Sequence, residues 1–176
     1  MLYIAREMRQ LDDTKLMALY EESHRKAGAR EYPMETPERQ LLLAEADSAD
    51  YLRQVFFSQP GASCCIWLEE NQYLSALRLE PYQDGLLITA LETHPLRRGR
   101  GFGKSLLQAV QATVAEESDL PLYSHIHKKN LPSQQLHRTC GFQVQLPYAR
   151  YISGETSRSA ETWVWKPASL PPEKIF

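Results

Sequence analysis

Between His94 and Ser105 the chain reads HPLRRGRGFGKS, in which four cations (Arg97, Arg98, Arg100, Lys104) interleave with three glycines (Gly99, Gly101, Gly103). Residues of these types at this spacing can hold an anion. Glycine removes the Cβ atoms that would keep a ligand off the backbone. The bare N–H groups at the start of a following helix, with the positive end of its dipole, favour a phosphate. Such a helix is expected, because Phe102, Leu106, Leu107, Val110 and Val114 fall on one helical face. Counting excludes two common nucleotide motifs. A P-loop would need glycine at position 98, which is Arg98. The dinucleotide fingerprint G-x-G-x-x-G ends on Lys104 or Leu106, neither of them glycine.

What fits is R-x-x-G-x-G, with Arg98, Gly101 and Gly103 in place. This resembles motif A of the GNAT superfamily of acyl-CoA-dependent N-acyltransferases. A second stretch, Asn130 to Phe142, NLPSQQLHRTCGF, resembles another motif of that family through Asn130, Ser133, His137, Gly141 and Phe142. The resemblance implies acetyl-CoA as co-substrate and no metal. Its pyrophosphate would lie on the backbone of Arg98, Gly99, Arg100, Gly101, Phe102, Gly103 and Lys104, with Ser105 beside it. The pantetheine arm would pair with Leu91, Glu92 and Thr93 as an added strand does. Asn130, Ser133 and His137 would touch the cofactor from the other side.

The chain departs from the family at position 137, where tyrosine is usual and can protonate the departing thiolate. An imidazole of pKa about 6.5 can take that role if it is held charged or hydrogen-bonded. The base that removes a proton from the acceptor amine is left open between His125 and Glu92. His125 occupies the place of a glutamate used as base in family members that acetylate ribosomal-protein N-termini; Glu92 precedes the glycine-rich turn. Cys140 raises an acyl-enzyme route, but its place at a helix end beside Gly141-Phe142 suits a small buried residue better. Tyr20, Glu21, Glu22, Tyr32 and Glu35 are acceptor-side candidates, since the family walls its acceptor pocket with the link between the first two helices.

These residues need a frame. Leu86 to Thr93 reads as a strand stopped by Pro95, which has no N–H for a ladder. Upstream, Ser63 to Glu69 and Tyr73 to Glu80 form a hairpin around Glu70-Asn71-Gln72, and Leu2 to Arg6 a first strand. Asp12 or Asp13 caps a helix ending near Gly28, and Thr36-Pro37-Glu38 starts a second, recapped near Asp47 or Ser48. Leu122 to His127 is a strand reached by a crossover helix, the mark of a parallel pair. From Phe142 to Lys166 a long aromatic strand pair follows, able to line the acceptor pocket or form a homodimer contact. The resemblance implies an α/β (α+β) GNAT fold, a central mixed twisted sheet of about seven strands flanked by about four helices.

At 176 residues, with 43% hydrophobic and 24% charged residues, one domain over residues 1–166 is expected, followed by a proline-rich arm, 167–176. The net charge of −2 argues against nucleic acid as partner. Three cysteines give neither a disulfide framework nor metal-ligand spacing. The polar start MLYIAREMRQ and the lack of a long apolar run argue against a signal peptide and a membrane partner, and for a cytoplasmic home. The expectation is an N-acetyltransferase moving acetyl from acetyl-CoA to a primary amine, small molecule or peptide, by direct attack in a ternary complex. The alternative is a non-catalytic acyl-CoA sensor or interaction module on the same fold.

Overall fold

The computed structural model describes residues 1–167. The proposed arm, apart from Pro167, lies outside them. The strands are β1 (Leu2–Ala5), β2 (Ser63–Glu69), β3 (Gln72–Tyr82), β4 (Gly85–Thr93), β5 (Leu122–His127), β6 (Gln143–Leu146), β7 (Ala149–Arg150), β8 (Thr156–Ser157) and β9 (Ala160–Trp165). The helices are α1 (Asp13–Glu31), α2 (Pro37–Tyr51), α3 (Phe102–Glu117) and α4 (Leu131–Thr139). Seven strands form one mixed sheet in the order β1-β2-β3-β4-β5-β9-β6, and β7 and β8 pair separately. The expected α/β architecture, seven strands and four helices, is what forms.

Alternation on β3 sorts the two faces. Leu77 and Leu79 point toward α3 and pack with Leu106, Leu107 and Val110. Ala76, one residue over, faces the other way and packs with Leu16 and Leu19 of α1, and Phe56. The β2–β3 turn is tight because Glu70 and Asn71 both take positive φ, 47° and 61°, the pairing a two-residue hairpin with native twist requires. The crossover through α3 makes β4 and β5 the parallel pair.

Two expectations need correction. Gly28 does not end α1, which runs on to Glu31. It serves instead as a crossing point: a Cβ there would lie 2.3 Å from the Gln40 carbonyl oxygen of α2. Asp47 and Ser48 do not recap the second helix, which continues unbroken and then loosens into a π-helical turn, Leu52–Phe56. β9 pairs antiparallel with β6, as the expected strand pair, and also with β5, so that Trp163 becomes one of the largest fully buried side chains. The caps at Asp12 and Thr36 form as read, each side chain accepting from the backbone N–H three residues on. Among the described residues no helix is long and apolar enough to cross a membrane.

The Gly28 contact is with backbone, which cannot rotate away. Gly28→Ala is expected to lower stability by about 1–3 kcal/mol, as overpacking does. Thermal or urea unfolding of the variant checks this, and a Tm equal to that of the parent would show that α1 and α2 can shift apart freely.

Candidate active site

The site begins where two neighbouring strands part. β4 and β5 pair only over Leu86–Leu122, Leu87–Tyr123 and Ile88–Ser124. Immediately beyond, Ala90 adopts φ 49° and the β3–β4 register slips between Ala76 and Arg78. A left-handed residue with a Cβ in a strand is a bulge, which bends β4 away from β5. The Tyr20 hydroxyl of α1 donates to the Ala90 carbonyl at 2.7 Å and holds the bend. The parting leaves Leu91, Glu92 and Thr93 without a partner strand on the β5 side.

The glycine-rich turn follows. His94 opens a short 3-10 turn, Pro95–Arg97, and Arg98 Nε donates back to the Thr93 carbonyl at 3.3 Å. Gly99 and Gly101 take φ 74° and 85°, conformations in which L side chains are strained. Among the described residues nothing lies within 4 Å of a Cβ built at either, so the turn is open there on its outer side. Gly103 differs: its Cβ would sit 3.1 Å from Thr93 Oγ1, so glycine there lets the first turn of α3 press against the end of β4. Gly101 caps α3 with no side-chain hydrogen bond, whereas Asp12, Thr36 and Asn130 cap the other three helices with theirs. The first N–H groups of α3 are therefore left for a ligand, and an anion is the species they suit. The residues fit the pyrophosphate of a coenzyme A.

A groove of about 840 Å³ runs from this turn, lined by Thr93, Gly101, Phe102, Gly103 and Lys104 on one wall and Asn130, Pro132, Ser133 and Leu136 on the other. Arg98 and Gly99 line it as well; Arg100 and Ser105 do not. Arg98 is also tied down, its Nη1 donating to Glu22 of α1 at 2.5 Å. Glu22 accepts from Lys26 too, and these two cations hold its carboxyl below the ordinary range.

Two further cavities adjoin this groove. One, of about 600 Å³, lies over the parted strands and is lined by Glu80, Thr89, His125, His137 and the loop residues Tyr151 to Ser153. The other, of about 500 Å³, lies between α1, α2 and the sheet, and its walls include Tyr20, His24, Tyr32, Tyr51 and Arg78. Glu92 lines the groove and both cavities, and is the one residue to do so among these linings. Its carboxylate accepts from the Ser23 hydroxyl. Burial pushes its pKa up, against the lowering by Ser23 and by Arg98.

The two histidines are placed differently. His125, half-buried on β5, lines only the larger of these two cavities, edge-on to Tyr82 and Tyr151 with centroids at 5.4 Å each. Its Nε2 is buried without a partner and burial lowers its pKa. His137 is 1% exposed and packed edge-on against Phe142. Its Nδ1 lies 2.8 Å from the Ser133 carbonyl, which can only accept, so Nδ1 carries the proton. Burial lowers this pKa as well, opposed by that hydrogen bond. The ring is thus neutral, and Nε2, also unpartnered, bears a lone pair rather than a proton. Of the two conditions set for position 137, charge or a hydrogen bond, the ring meets the second through Ser133.

Of the acceptor-side candidates, Tyr20 and Tyr32 line the α1–α2 cavity and Glu22 the groove, while Glu21 and Glu35 line none of the three. Cys140 is buried in the main core, and burial raises its thiol pKa. Ser23, His24, Arg78 and Glu80 were not singled out from the sequence. A signal existed for the last two: β3 is a central strand covered on both faces, yet it carries two charges on one of them.

Comparison with known proteins follows this geometry. Residues 16–142 match the acetyltransferase (GNAT) family. No curated protein sequence matches significantly. Among solved structures, PaiA N-acetyltransferase from Thermoplasma acidophilum, in complex with coenzyme A, superposes with TM-score 0.64 at 16% identity, over 94% of this chain and 99% of that one. The ribosomal-protein-S18-alanine N-acetyltransferase from Escherichia coli gives 0.60 at 14% identity over 100% of both chains. Aminoglycoside 6'-acetyltransferase type Ii gives 0.61 at 13% identity, over 93% of this chain and 94% of that one. At such identities these likenesses show the shared fold.

The raised pKa of Glu92 has a consequence for stability. Above its folded pKa the carboxylate is charged in both states, but the folded site penalises the charge; below the ordinary carboxyl value both states are protonated and the penalty is absent. Glu92→Gln is therefore expected to raise Tm at pH 8 relative to the parent. The gap should close as pH falls through the ordinary carboxyl range. Melting curves from pH 4 to 8 check this, and a gap that widens toward acid would reverse the assigned direction.

Proposed function

The chain belongs to the GNAT family of acetyltransferases, and on that premise we propose that it transfers acetyl from acetyl-CoA to a primary amine by direct attack, with Glu92 as the base. The observation that carries this is the position of Glu92, on the bulged strand where the groove meets both cavities. His125 reaches only one of those cavities and lies outside the groove, which favours Glu92 of the two candidates.

Acetyl-CoA supplies an activated acetyl thioester. The chain's residues bind and orient it. The open N–H groups at the start of α3 take the pyrophosphate, with Lys104 nearby and Arg98 braced by Glu22. Backbone polar groups of Leu91 to Thr93, unpaired on the β5 side, take the pantetheine amides, and an N–H there polarises the thioester carbonyl. An acceptor ammonium near pKa 10.4 must lose a proton before its nitrogen can attack. Glu92 takes that proton, directly or through water, and its raised pKa makes it a better acceptor of it. As the C–N bond forms and the C–S bond breaks, the nitrogen gives up a second proton. One of the two ends on the coenzyme A sulfur and the other in solvent. A thiol of pKa about 8.5 leaves without a strong acid. His137, neutral and holding its proton on Ser133, serves as a hydrogen-bond acceptor at Nε2 for an N–H or S–H that enters the cavity over the parted strands.

The test joins acetyl-CoA thermal shift with thiol release over a panel of primary amines. Stabilisation with release is expected. Stabilisation without release on any amine would instead make the protein an acyl-CoA sensor. Glu92→Gln should cut kcat by roughly 10²–10⁴-fold, the usual contribution of a general base, with the acetyl-CoA shift retained. His137→Asn should leave the alkaline side of the pH–rate profile unchanged. A basic limb that disappears in that variant would restore His137 as the acid.

A further inference from the structure

We infer that the amine acceptor also carries a carboxylate, which Arg78 and His24 hold while its amino group faces Glu92. The substrate class is then amino-acid-like, an amine and a carboxylate only a few bonds apart. This rests on the acetyl-transfer reading above and goes beyond it by naming what the acceptor must contain.

Arg78 sits on the central strand β3, on the face turned to α1 and α2, and lines the α1–α2 cavity. Its guanidinium lies over the rings of Tyr51 and Phe56, at 5.4 and 5.6 Å from their centroids. Among the described residues it has no ion-pair partner, and its Nε is buried with no hydrogen bond. Aromatic faces offset part of the cost of enclosing a cation, but they leave the in-plane N–H donors unused. A half-buried guanidinium without a carboxylate is an expensive arrangement unless a ligand completes it.

His24 makes the same point in the same cavity. It is 7% exposed and its Nδ1 is buried without a partner. Burial and the positive charge of Arg78 keep its pKa down, so the ring is neutral and can donate from one nitrogen. The cavity's own acids are engaged elsewhere. Asp47 accepts from the Tyr32 hydroxyl at 2.5 Å, Glu31 pairs with Arg30 at 2.7 Å, and Glu92 is held by Ser23. The cavity therefore offers donors that lack an acceptor, the complement of a carboxylate.

Spacing limits the ligand's size. Arg78 lies opposite Thr89 and Glu92 opposite Ala76, so the two side chains share a face and are offset by two residues of β3, roughly 7 Å. One molecule can meet both if its amino and carboxylate groups are close together. Leu16, Ala44 and Leu52 give the cavity an apolar wall, with room for a side chain in its volume of about 500 Å³.

The experiment compares matched acceptors on the full-length protein with saturating acetyl-CoA: L-alanine, L-methionine, L-phenylalanine and L-glutamate, each beside its α-carboxamide. The acids are expected to exceed their carboxamides in kcat/KM by roughly 10–100-fold, the worth of a charge-assisted carboxylate contact. Arg78→Lys and Arg78→Met should raise KM for the acids and collapse that ratio toward one, with the acetyl-CoA thermal shift intact. Equal use of acids and carboxamides by the parent protein overturns the inference and leaves acetyl transfer standing. So does a ratio that survives in both variants. Release with none of the acids while acetyl-CoA still stabilises the protein overturns it as well, and loss of acetyl-CoA stabilisation removes the reading beneath it. The parent comparison decides even if neither variant folds.

Discussion

The parting of β4 from β5 after Ile88 is the constraint on which the rest of this structure depends. Two parallel strands that stayed paired would hide the backbone of Leu91 to Thr93 inside the sheet. The left-handed bulge at Ala90 prevents it, at a strain that a glycine would not carry. Tyr20 offsets that strain by holding the Ala90 carbonyl from α1. Because β4 turns away, α3 and α4 frame a groove on one side of the opening and α1 and α2 frame a cavity on the other. Glu92 sits in the gap and lines both, with Ser23 hydrogen-bonded beside it. A deformation of a single strand thus brings two ligands' compartments to one carboxylate.

The glycine-rich turn was fully legible in the sequence because its meaning is local. Three glycines, a proline and an amphipathic run specify strand, turn and helix without reference to anything distant. The hairpin, the Asp12 and Thr36 caps and the crossover were legible for the same reason. Gly28 was misread because the local rule, a glycine ending a helix, competes with a tertiary one, a glycine allowing two backbones to touch. The contact at Gln40 is twelve residues away and leaves no mark near Gly28. The insertion of β9 between β5 and β6 is a pairing choice among several apolar strands, and periodicity does not encode it.

The chemistry of the site was legible only as a set of residue types. The sequence places a histidine at 137 and says nothing of its protonation. That is decided by burial to 1% exposure and by the Ser133 carbonyl one helical turn back, which together fix a neutral ring with its proton on Nδ1. The sequence likewise gives Arg98 a place in the turn and says nothing of what its side chain pairs with. In the fold it braces α1 against the turn through Glu22.

The unpartnered polar atoms carry the argument further. Buried side-chain nitrogens without hydrogen bonds occur at His24, Arg78, His125, His137 and Trp163. The first four of these line the two cavities that Glu92 joins, and only Trp163 does not. Each such group costs about 1–3 kcal/mol relative to a satisfied one, so a core under selection for stability alone would not gather them. Their concentration around one carboxylate is what the proposed transfer calls for, since a bound acceptor and acyl donor would supply the missing partners. It also divides the work: two neutral imidazoles beside the parted strands suit uncharged partners such as amides or a thiol, whereas a guanidinium beside His24 suits an anion. The groove and the cavities are therefore not one promiscuous opening. They differ in charge, and Glu92 stands at the boundary where an ammonium, between an acyl donor and an anion-binding arm, would have to surrender its proton.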